Sequence, residues 1–290
     1  MSPRPESTIL DINGRKIAAI RHRDPEIDQP LRMLCLHGWL DNANSFVPLM
    51  PFLPSIDLVA IDLPGHGHSD HLDGGYSITD MTWWTLAVLQ ALDWQQCHLL
   101  GHSLGACIAP VVAVANPGVI ETLTMIDASG PLSETPMLLP ARLKQSMQDR
   151  FQSEKFASRT FASKELAVAA RLKATTMEMS SARLIVDRQL ESTQDGYRWQ
   201  FDPRLRMTSP QYQTEEQVLA ILGAVECPTL TILAENGFLA GRRNTESRLG
   251  RLQRRETITL AGNHHFHMDS PEPVAAAINR FLGTRPALGG

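Results

Sequence analysis

Short apolar runs alternate with helical patterns along most of this chain, and this alternation limits the folds open to it. The runs are rich in β-branched and aliphatic residues and lie at Lys16–Arg21, Leu31–Leu36, Leu58–Ile61, His98–Leu100, Thr122–Ile126, Thr229–Leu233 and Thr257–Leu260. Apolar residues at helical spacing follow in 79–92, 104–116 and 273–281. Strands that are apolar throughout need cover on both faces. The sequence therefore predicts an α/β fold with a mostly parallel, doubly wound sheet.

Two departures from the alternation are predicted. Asn13-Gly14, just before the run at Lys16–Arg21, is a strong hairpin signal, so the first two strands are expected to form an antiparallel edge of the sheet. Between residues 131 and 208 the sequence is helix-like and irregular, with no run typical of a strand. We interpret residues 131–208 as an insertion into a core formed by residues 1–130 and 209–290.

Composition narrows the class of partner. The 290 residues are 43% hydrophobic and 20% charged, with a net charge of -4, which is typical of a globular protein and offers no general attraction to nucleic acid or an anionic membrane. Small molecules are the expected partners. Apolar runs are too short for a secretory signal or a membrane span, so we expect a cytoplasmic protein. Four scattered cysteines indicate buried, reduced thiols. The oligomeric state is not indicated.

Ser103 lies between two glycines where a strand is predicted to end and a helix to begin. The stretch 99–109 reads LLGHSLGACIA, with Gly101 and Gly105 on either side of the serine. A nucleophile on a tight strand-to-helix turn needs small neighbours because the helix must pass close to the strand. The first free N–H groups of that helix then point toward developing negative charge. This context favours Ser103 as a nucleophile.

A general base for this serine is expected late in the chain. Residues 260–274, LAGNHHFHMDSPEPV, follow the last predicted strand and precede the last predicted helix. A histidine there would lie at the same sheet edge as Ser103. His264 is preferred because it comes first after the strand, His265 is the second choice, and His267 is interpreted as a packed neighbour.

Four motifs in order resemble the α/β-hydrolase superfamily, and their wording is most similar to its serine hydrolase-like, or kraken-like, group. They are LHGWLDN at 36–42, AIDLPGHGHSDH at 60–71, GHSLG at 101–105 and HHFHMDSPEPV at 264–274. The resemblance covers nearly the whole chain outside the insertion. It implies the α/β-hydrolase fold, a helical cap at 131–208, His264 as the base, and backbone N–H groups of Trp39 and Leu104 as the oxyanion hole.

The acidic member of a catalytic triad is not where this superfamily usually has it. The resemblance implies an aspartate after the strand at 229–233, but Gly237 stands at that position. Asp127, which ends the strand at 122–126, is the preferred substitute, and Glu235 is the alternative. Asp127 could also cap a turn before Ala128-Ser129-Gly130, and this structural role stays open.

The sequence disfavours a zinc site. The histidines and aspartate of HGHSDH fit a zinc-hydrolase pattern, with candidate ligands His66, His68, Asp70 and His71. Further ligands are missing downstream, because the next histidines lie in a predicted strand and in the turn at Ser103. We therefore expect no metal and no other cofactor.

These observations predict a serine hydrolase that cleaves a small carboxylic ester or related acyl substrate through an acyl-enzyme intermediate. Ser103 would attack, His264 would transfer the proton and Asp127 would orient His264. The main alternative is a catalytically weak protein that binds a ligand under the cap, which the glycine at 237 keeps open. A zinc hydrolase is a remote alternative.

Overall fold

The computed structural model describes residues 4–242 and 244–283, which contain eleven strands. These are β1 (Glu6–Ile12), β2 (Arg15–His22), β3 (Leu31–Leu36), β4 (Ile56–Ile61), β5 (Cys97–His102), β6 (Ile120–Ile126), β7 (Thr160–Phe161), β8 (Leu190–Thr193), β9 (Gly196–Trp199), β10 (Thr229–Asn236) and β11 (Arg255–Asn263). Eight of them form one sheet in the order β1-β2-β4-β3-β5-β6-β10-β11. The pairs β1/β2 and β2/β4 are antiparallel and the other pairs are parallel. The predicted mostly parallel sheet is confirmed.

The described residues also form nine α-helices. They are α1 (Ile78–Ala91), α2 (Leu104–Ala115), α3 (Leu139–Phe151), α4 (Lys164–Ala174), α5 (Met179–Gln189), α6 (Glu215–Gly223), α7 (Thr245–Leu249), α8 (Phe266–Asp269) and α9 (Pro271–Leu282). Helices α1 and α2 contribute to the core on one face of this sheet and α9 to the core on the other. The helices predicted at 79–92, 104–116 and 273–281 are α1, α2 and α9. Within the described residues, no helix combines the length and the apolar character needed to cross a membrane.

Burial on both faces explains the apolar strands. In β3, Leu34 and Leu36 belong to a core shared with α1 and α2, whereas Met33 and Cys35 belong to a second core shared with α9. All four side chains are fully buried. Because successive residues of a strand point to opposite faces, a strand covered on both sides buries most of its side chains and is therefore mainly apolar.

The edge hairpin forms at the predicted place. β1 and β2 pair in register from Glu6 with Arg21 to Ile12 with Arg15, which leaves Asn13-Gly14 as a two-residue turn. Both turn residues have positive φ, 53° for Asn13 and 79° for Gly14. Such angles suit the twist of the two strands, and Asn-Gly adopts them at little cost.

The segment 131–208 lies between β6 and β10 in the sequence and contributes no strand to the eight-stranded sheet. It contains α3, α4 and α5. The expectation that it has no strand was wrong, because β7, β9 and β8 form a small antiparallel sheet there. These strands have two to four residues each, too few to give an alternating pattern. The Asp195-Gly196 pair at the turn between β8 and β9 was the available signal.

The cysteines are free thiols, as predicted. Cys35, Cys97 and Cys107 are buried and Cys227 is half-buried. Burial is the main cause that raises the pKa of Cys97 and of Cys107 to about 12. A thiol with so high a pKa is not ionised near neutral pH, so neither of these two cysteines is an activated nucleophile.

Candidate active site

Ser103 occupies a strained turn between β5 and α2. Its φ is 51°, an angle that non-glycine residues seldom adopt. Its backbone N–H donates to the carbonyl of Ile126, at 3.0 Å, which ties the turn to the end of β6. Strained residues of this kind are held by their surroundings and are common at active sites.

The two glycines around Ser103 are required by close backbone approach. A Cβ atom on Gly101 would lie 2.4 Å from the carbonyl carbon of Gly105, and a Cβ on Gly105 would lie 1.9 Å from the carbonyl oxygen of Leu36. No side chain fits at either position without moving the backbone. The G-x-S-x-G spacing is therefore what allows α2 to pass directly over β3 and β5.

His264 is the histidine that the structure brings to the serine. Its Nε2 atom lies 2.9 Å from Oγ of Ser103. His265 instead contacts Asp41. The ring of His267 is fully buried, and within the described residues neither of its nitrogens has a hydrogen-bond partner. Burial, followed by the nearby rings of His102 and His265, lowers the pKa of His267, so this ring is neutral near pH 7.

Asp127 is the carboxylate that the structure brings to His264. Its Oδ2 atom lies 2.5 Å from Nδ1 of the imidazole and accepts the backbone N–H of Phe238 at 2.7 Å. A third hydrogen bond comes from the N–H of Ala234 at 3.3 Å. Burial favours the protonated acid, but the hydrogen bonds from His264 and Phe238 outweigh it, so the pKa of Asp127 lies below its ordinary value. The group is therefore a carboxylate near neutral pH.

Glu235, the alternative acid, does not contact His264. Its side chain is exposed, and no hydrogen bond or ion pair joins it to His264 in the part of the chain that the structure describes. The structure explains why residue 237 is a glycine. A Cβ atom there would lie 2.3 Å from Oδ2 of Asp127, so Gly237 leaves the space that the carboxylate fills.

Trp39 lies on the loop after β3, and Leu104 follows Ser103 directly in the chain. Leu104 is the first residue of α2, where an N–H has no carbonyl partner within the helix. Among the hydrogen bonds of residues 4–242 and 244–283, neither the backbone N–H of Trp39 nor that of Leu104 is a donor. Gly105 donates to the carbonyl of His37 at 3.0 Å, which joins the loop of Trp39 to the start of α2. Both N–H groups are therefore available to an anionic oxygen.

A buried charged cluster lies next to His264, and no sequence motif had pointed to it. It consists of Asp41, His102, Arg171 and His265, whose side chains are between fully buried and 11% exposed. Asp41, His102 and His265 place ligand-type atoms within 4.8 Å of one another, close enough to hold a metal ion. The guanidinium of Arg171 pairs with Asp41 and already supplies positive charge there. Within the described residues, the charge of Asp41 is therefore already compensated by Arg171.

The candidate zinc ligands are used elsewhere in the structure. His66 is buried and its Nδ1–H donates to the carbonyl of Pro64 at 3.0 Å, while Asp70 accepts the N–H of Lys16 at 2.8 Å. His71 Nε2 lies 2.8 Å from the carbonyl of Gln200. Across the described residues, His66, His68, Asp70 and His71 do not form a group with metal-ligand spacing. The geometry gives the zinc hypothesis no support.

Comparison with known proteins identifies relatives over most of the chain. Residues 32–271 match the family model described as the alpha/beta hydrolase fold. A serine hydrolase-like protein of Dictyostelium discoideum is 31% identical over 269 residues, which cover 87% of this chain and 74% of that protein.

Solved structures show the same likeness. The crystal structure of a hypothetical protein from Pseudomonas aeruginosa PAO1 is 34% identical, with a TM-score of 0.88 over 96% of this chain and 98% of that one. A thioesterase domain from the curacin biosynthetic pathway has a TM-score of 0.81 at 23% identity, over 95% of this chain and 99% of that one. The second likeness is one of fold alone.

Proposed function

Because the chain belongs to the α/β hydrolase family, we propose that it is a serine hydrolase that cleaves a small carboxylic ester or related acyl substrate through an acyl-enzyme intermediate. The observation that carries this proposal is the hydrogen-bonded line from Asp127 through His264 to Ser103, with separations of 2.5 and 2.9 Å. A serine, an imidazole and a buried carboxylate in this order form the arrangement that activates a hydroxyl for nucleophilic attack.

The proposed reaction has two stages. In the first, Oγ of Ser103 bonds to the acyl carbon while Nε2 of His264 takes the hydroxyl proton, and the ester C–O bond then breaks as His264 returns that proton to the leaving alcohol. In the second, water attacks the acyl carbon while His264 takes a proton from the water, and the bond to Oγ then breaks as His264 returns that proton to Ser103 and the acid leaves. Asp127 holds the proton of His264 on Nδ1 and stabilises the imidazolium that forms in each stage.

The oxyanion of each tetrahedral intermediate would bind to the N–H groups of Trp39 and Leu104. Both donors belong to backbone that is fixed before the substrate arrives, which is the condition for strong transition-state stabilisation. The Leu104 donor also lies at the N-terminus of the twelve-residue helix α2, where the helix dipole favours negative charge.

The segment 131–208 is proposed to be the cap that selects the substrate. Its contacts with the core support this assignment. The indole Nε1–H of Trp39 donates to the carbonyl of Leu205 at 3.1 Å, which joins the proposed oxyanion loop to the segment. Asn42 donates to the carbonyl of Ile185 at 2.8 Å. A segment fixed beside the reacting groups can discriminate between acyl chains by shape.

The alternative is a protein that binds a ligand without turnover, and it rests on the glycine at 237, where the superfamily usually has the acid of the triad. Asp127 offers the carboxylate that this position lacks, so the geometry favours the hydrolase. A small-molecule substrate and a cytoplasmic location remain parts of the proposal, and both are supported by the chain's unremarkable charge and apolar content.

Labelling with a fluorophosphonate probe, followed by intact mass, tests the proposal. The wild type should gain one adduct, Ser103→Ala should gain none, and Ser153→Ala, which alters an exposed serine, should label like the wild type. A metal chelator should not change the result. A folded wild type that stays unlabelled, or an adduct that survives in Ser103→Ala, would contradict the assignment of the nucleophile.

Turnover of esters with graded acyl chains then separates an enzyme from a binder. We expect release of the alcohol by the wild type at a rate far above that of Ser103→Ala. If both proteins release alcohol equally slowly while the wild type still binds the ester, the ligand-binding alternative is the better description.

A further inference from the structure

Two hydrogen-bonding contacts fix the chain at His264 and His265, one at the carbonyl of His264 and one at the ring of His265. The ring Nε2–H of His102 donates to the carbonyl oxygen of His264, at 2.9 Å, because a carbonyl can only accept. On the other side, Nε2 of His265 lies 3.1 Å from Oδ2 of Asp41. The side chains of Asp41, His102 and His265 are 1%, 0% and 4% exposed, so water does not compete for these contacts.

Arg171 completes this arrangement from the segment 131–208. It lies on α4, its guanidinium pairs with Oδ1 of Asp41, and Nη1 donates to the carbonyl of Leu40 at 3.2 Å. Burial opposes the charge on Asp41, but Arg171 and His265 outweigh that effect and hold the pKa of the Asp41 carboxyl well below its ordinary value. Asp41 is thus a buried carboxylate that depends on Arg171 for compensation.

Asp41 also fixes the loop that carries Trp39. Its backbone N–H donates to the carbonyl of Gly38 at 3.0 Å. A Cβ atom on Gly38 would lie 2.6 Å from Oδ2 of Asp41, so the carboxylate packs directly against the backbone that precedes Trp39. One carboxylate therefore contacts both the loop of the proposed oxyanion donor and the residue after His264.

We infer that Arg171 is a positioning residue for the proposed reaction, and that it acts through Asp41 to hold the His264–His265 peptide and the loop of Trp39. This inference rests on the proposed function. Arg171 contacts neither Ser103 nor His264 in the described part of the chain. Its loss should therefore slow the chemical step, where placement matters most, and leave substrate binding largely intact.

The test compares Arg171→Ala with two matched controls. Lys173→Ala removes an exposed positive charge from the same helix. Asn44→Ala removes a hydrogen bond between the segment 131–208 and the core that does not involve the histidine loop. The measurements are the rate of fluorophosphonate labelling at Ser103 and kcat and KM for an ester that the wild type hydrolyses.

Arg171→Ala should lower kcat and the labelling rate by about ten-fold or more with KM nearly unchanged, whereas each control should stay within about three-fold of the wild type. Arg171→Lys should recover part of the loss. Added guanidinium ion should raise the activity of Arg171→Ala and leave that of Lys173→Ala unchanged, a response that general loosening of the fold would not give.

Each contrary outcome has a distinct meaning. If the wild type is labelled at Ser103 and Arg171→Ala is labelled as fast, the inference is wrong and the proposed function stands. The same holds if Asn44→Ala loses as much activity as Arg171→Ala. If the wild type is not labelled, the proposed function falls and this inference falls with it. Should Arg171→Ala not fold, His265→Ala removes the other contact of the Asp41 carboxylate, that with the residue after His264, and must also lower kcat.

Discussion

Arg188 and Asp62 form an ion pair in the interior, with 2.9 Å between Nε and Oδ2. The Arg188 side chain is 6% exposed and the Asp62 side chain is fully buried. Removing one partner would leave an uncompensated charge at Asp62, which costs about 3–5 kcal/mol in buried pairs. We expect Arg188→Ala to lower the free energy of unfolding by about this amount, as measured by urea denaturation.

An exposed pair in the same segment provides the control. Arg198 and Glu191 also form an ion pair, but their side chains are 52% and 34% exposed. Arg198→Ala should change the free energy of unfolding by less than about 1 kcal/mol because water compensates both charges. Equal losses in the two variants would show that burial of the Arg188 pair does not determine its contribution.

Asp127→Asn should reduce kcat/KM severely. The amide keeps the size of the carboxylate but offers its NH₂ group or a neutral oxygen to His264, which disturbs the tautomer that accepts the serine proton. In a triad of this kind the loss is about 10⁴-fold. Steady-state ester hydrolysis measures it. Glu235→Gln is the control and should retain the wild-type rate, since its side chain is exposed. The reverse result would make Glu235 the acid.

Gly237→Ala should impair both stability and activity. The new methyl group would meet Oδ2 of Asp127 at 2.3 Å, so the carboxylate or its strand must move. Overpacking of this kind costs about 1–3 kcal/mol, and displacement of Asp127 should lower kcat. Gly223→Ala is the control, because nothing lies within 4 Å of a Cβ atom there. Thermal melts and ester hydrolysis of both variants check the prediction.

The stability that Glu215 contributes to the folded state should be lost in acid. Hydrogen bonds from Arg248, chiefly, and from Ser133 lower the pKa of Glu215 from its ordinary 4.5 to about 2. A carboxyl with a lower pKa in the folded state stabilises it above pH 4.5, and this contribution is lost as the pH falls from 4.5 toward 2.

The comparison of Glu215→Gln with the wild type isolates that contribution. We expect the variant to be less stable at neutral pH, because Arg248 is 5% exposed and loses its carboxylate partner. Its free energy of unfolding should also fall less steeply in acid. Denaturant titrations at several pH values from neutral to about 3 measure both effects. Parallel curves for the two proteins would contradict the assignment.

The fold was predictable where burial makes a strand apolar along consecutive residues, because such a run can be recognised in the sequence. Every residue of β4 is buried, and its continuous apolar part, Leu58–Ile61, was recognisable as a strand in the sequence, whereas Asp57 interrupts the pattern before it. β7, with two residues, has no such pattern, and its place depends on pairing with β9. Short strands held by a partner carry too little information in their own residues to be recognised.

The proposed site was predictable where residues lie at the ends of strands. Ser103, Asp127 and His264 each follow a strand of the parallel sheet, and carboxyl ends of parallel strands meet at one edge. The contact of Arg171 with Asp41 was not predictable. It joins residues far apart in sequence through the position of α4, which packs on α5 and β7, and no local pattern of residues specifies that position.

The crowding of Gly237 against Asp127 also restricts how such a protein can change over generations. Both positions compete for one volume beside His264, so a carboxylate can occupy either strand end but not both. Suppose that the acid moves from one strand end to the other by single substitutions. The intermediate protein then has either no acid or two carboxylates that occupy the same space. Each intermediate is penalised, which would keep descendants on the side where they began.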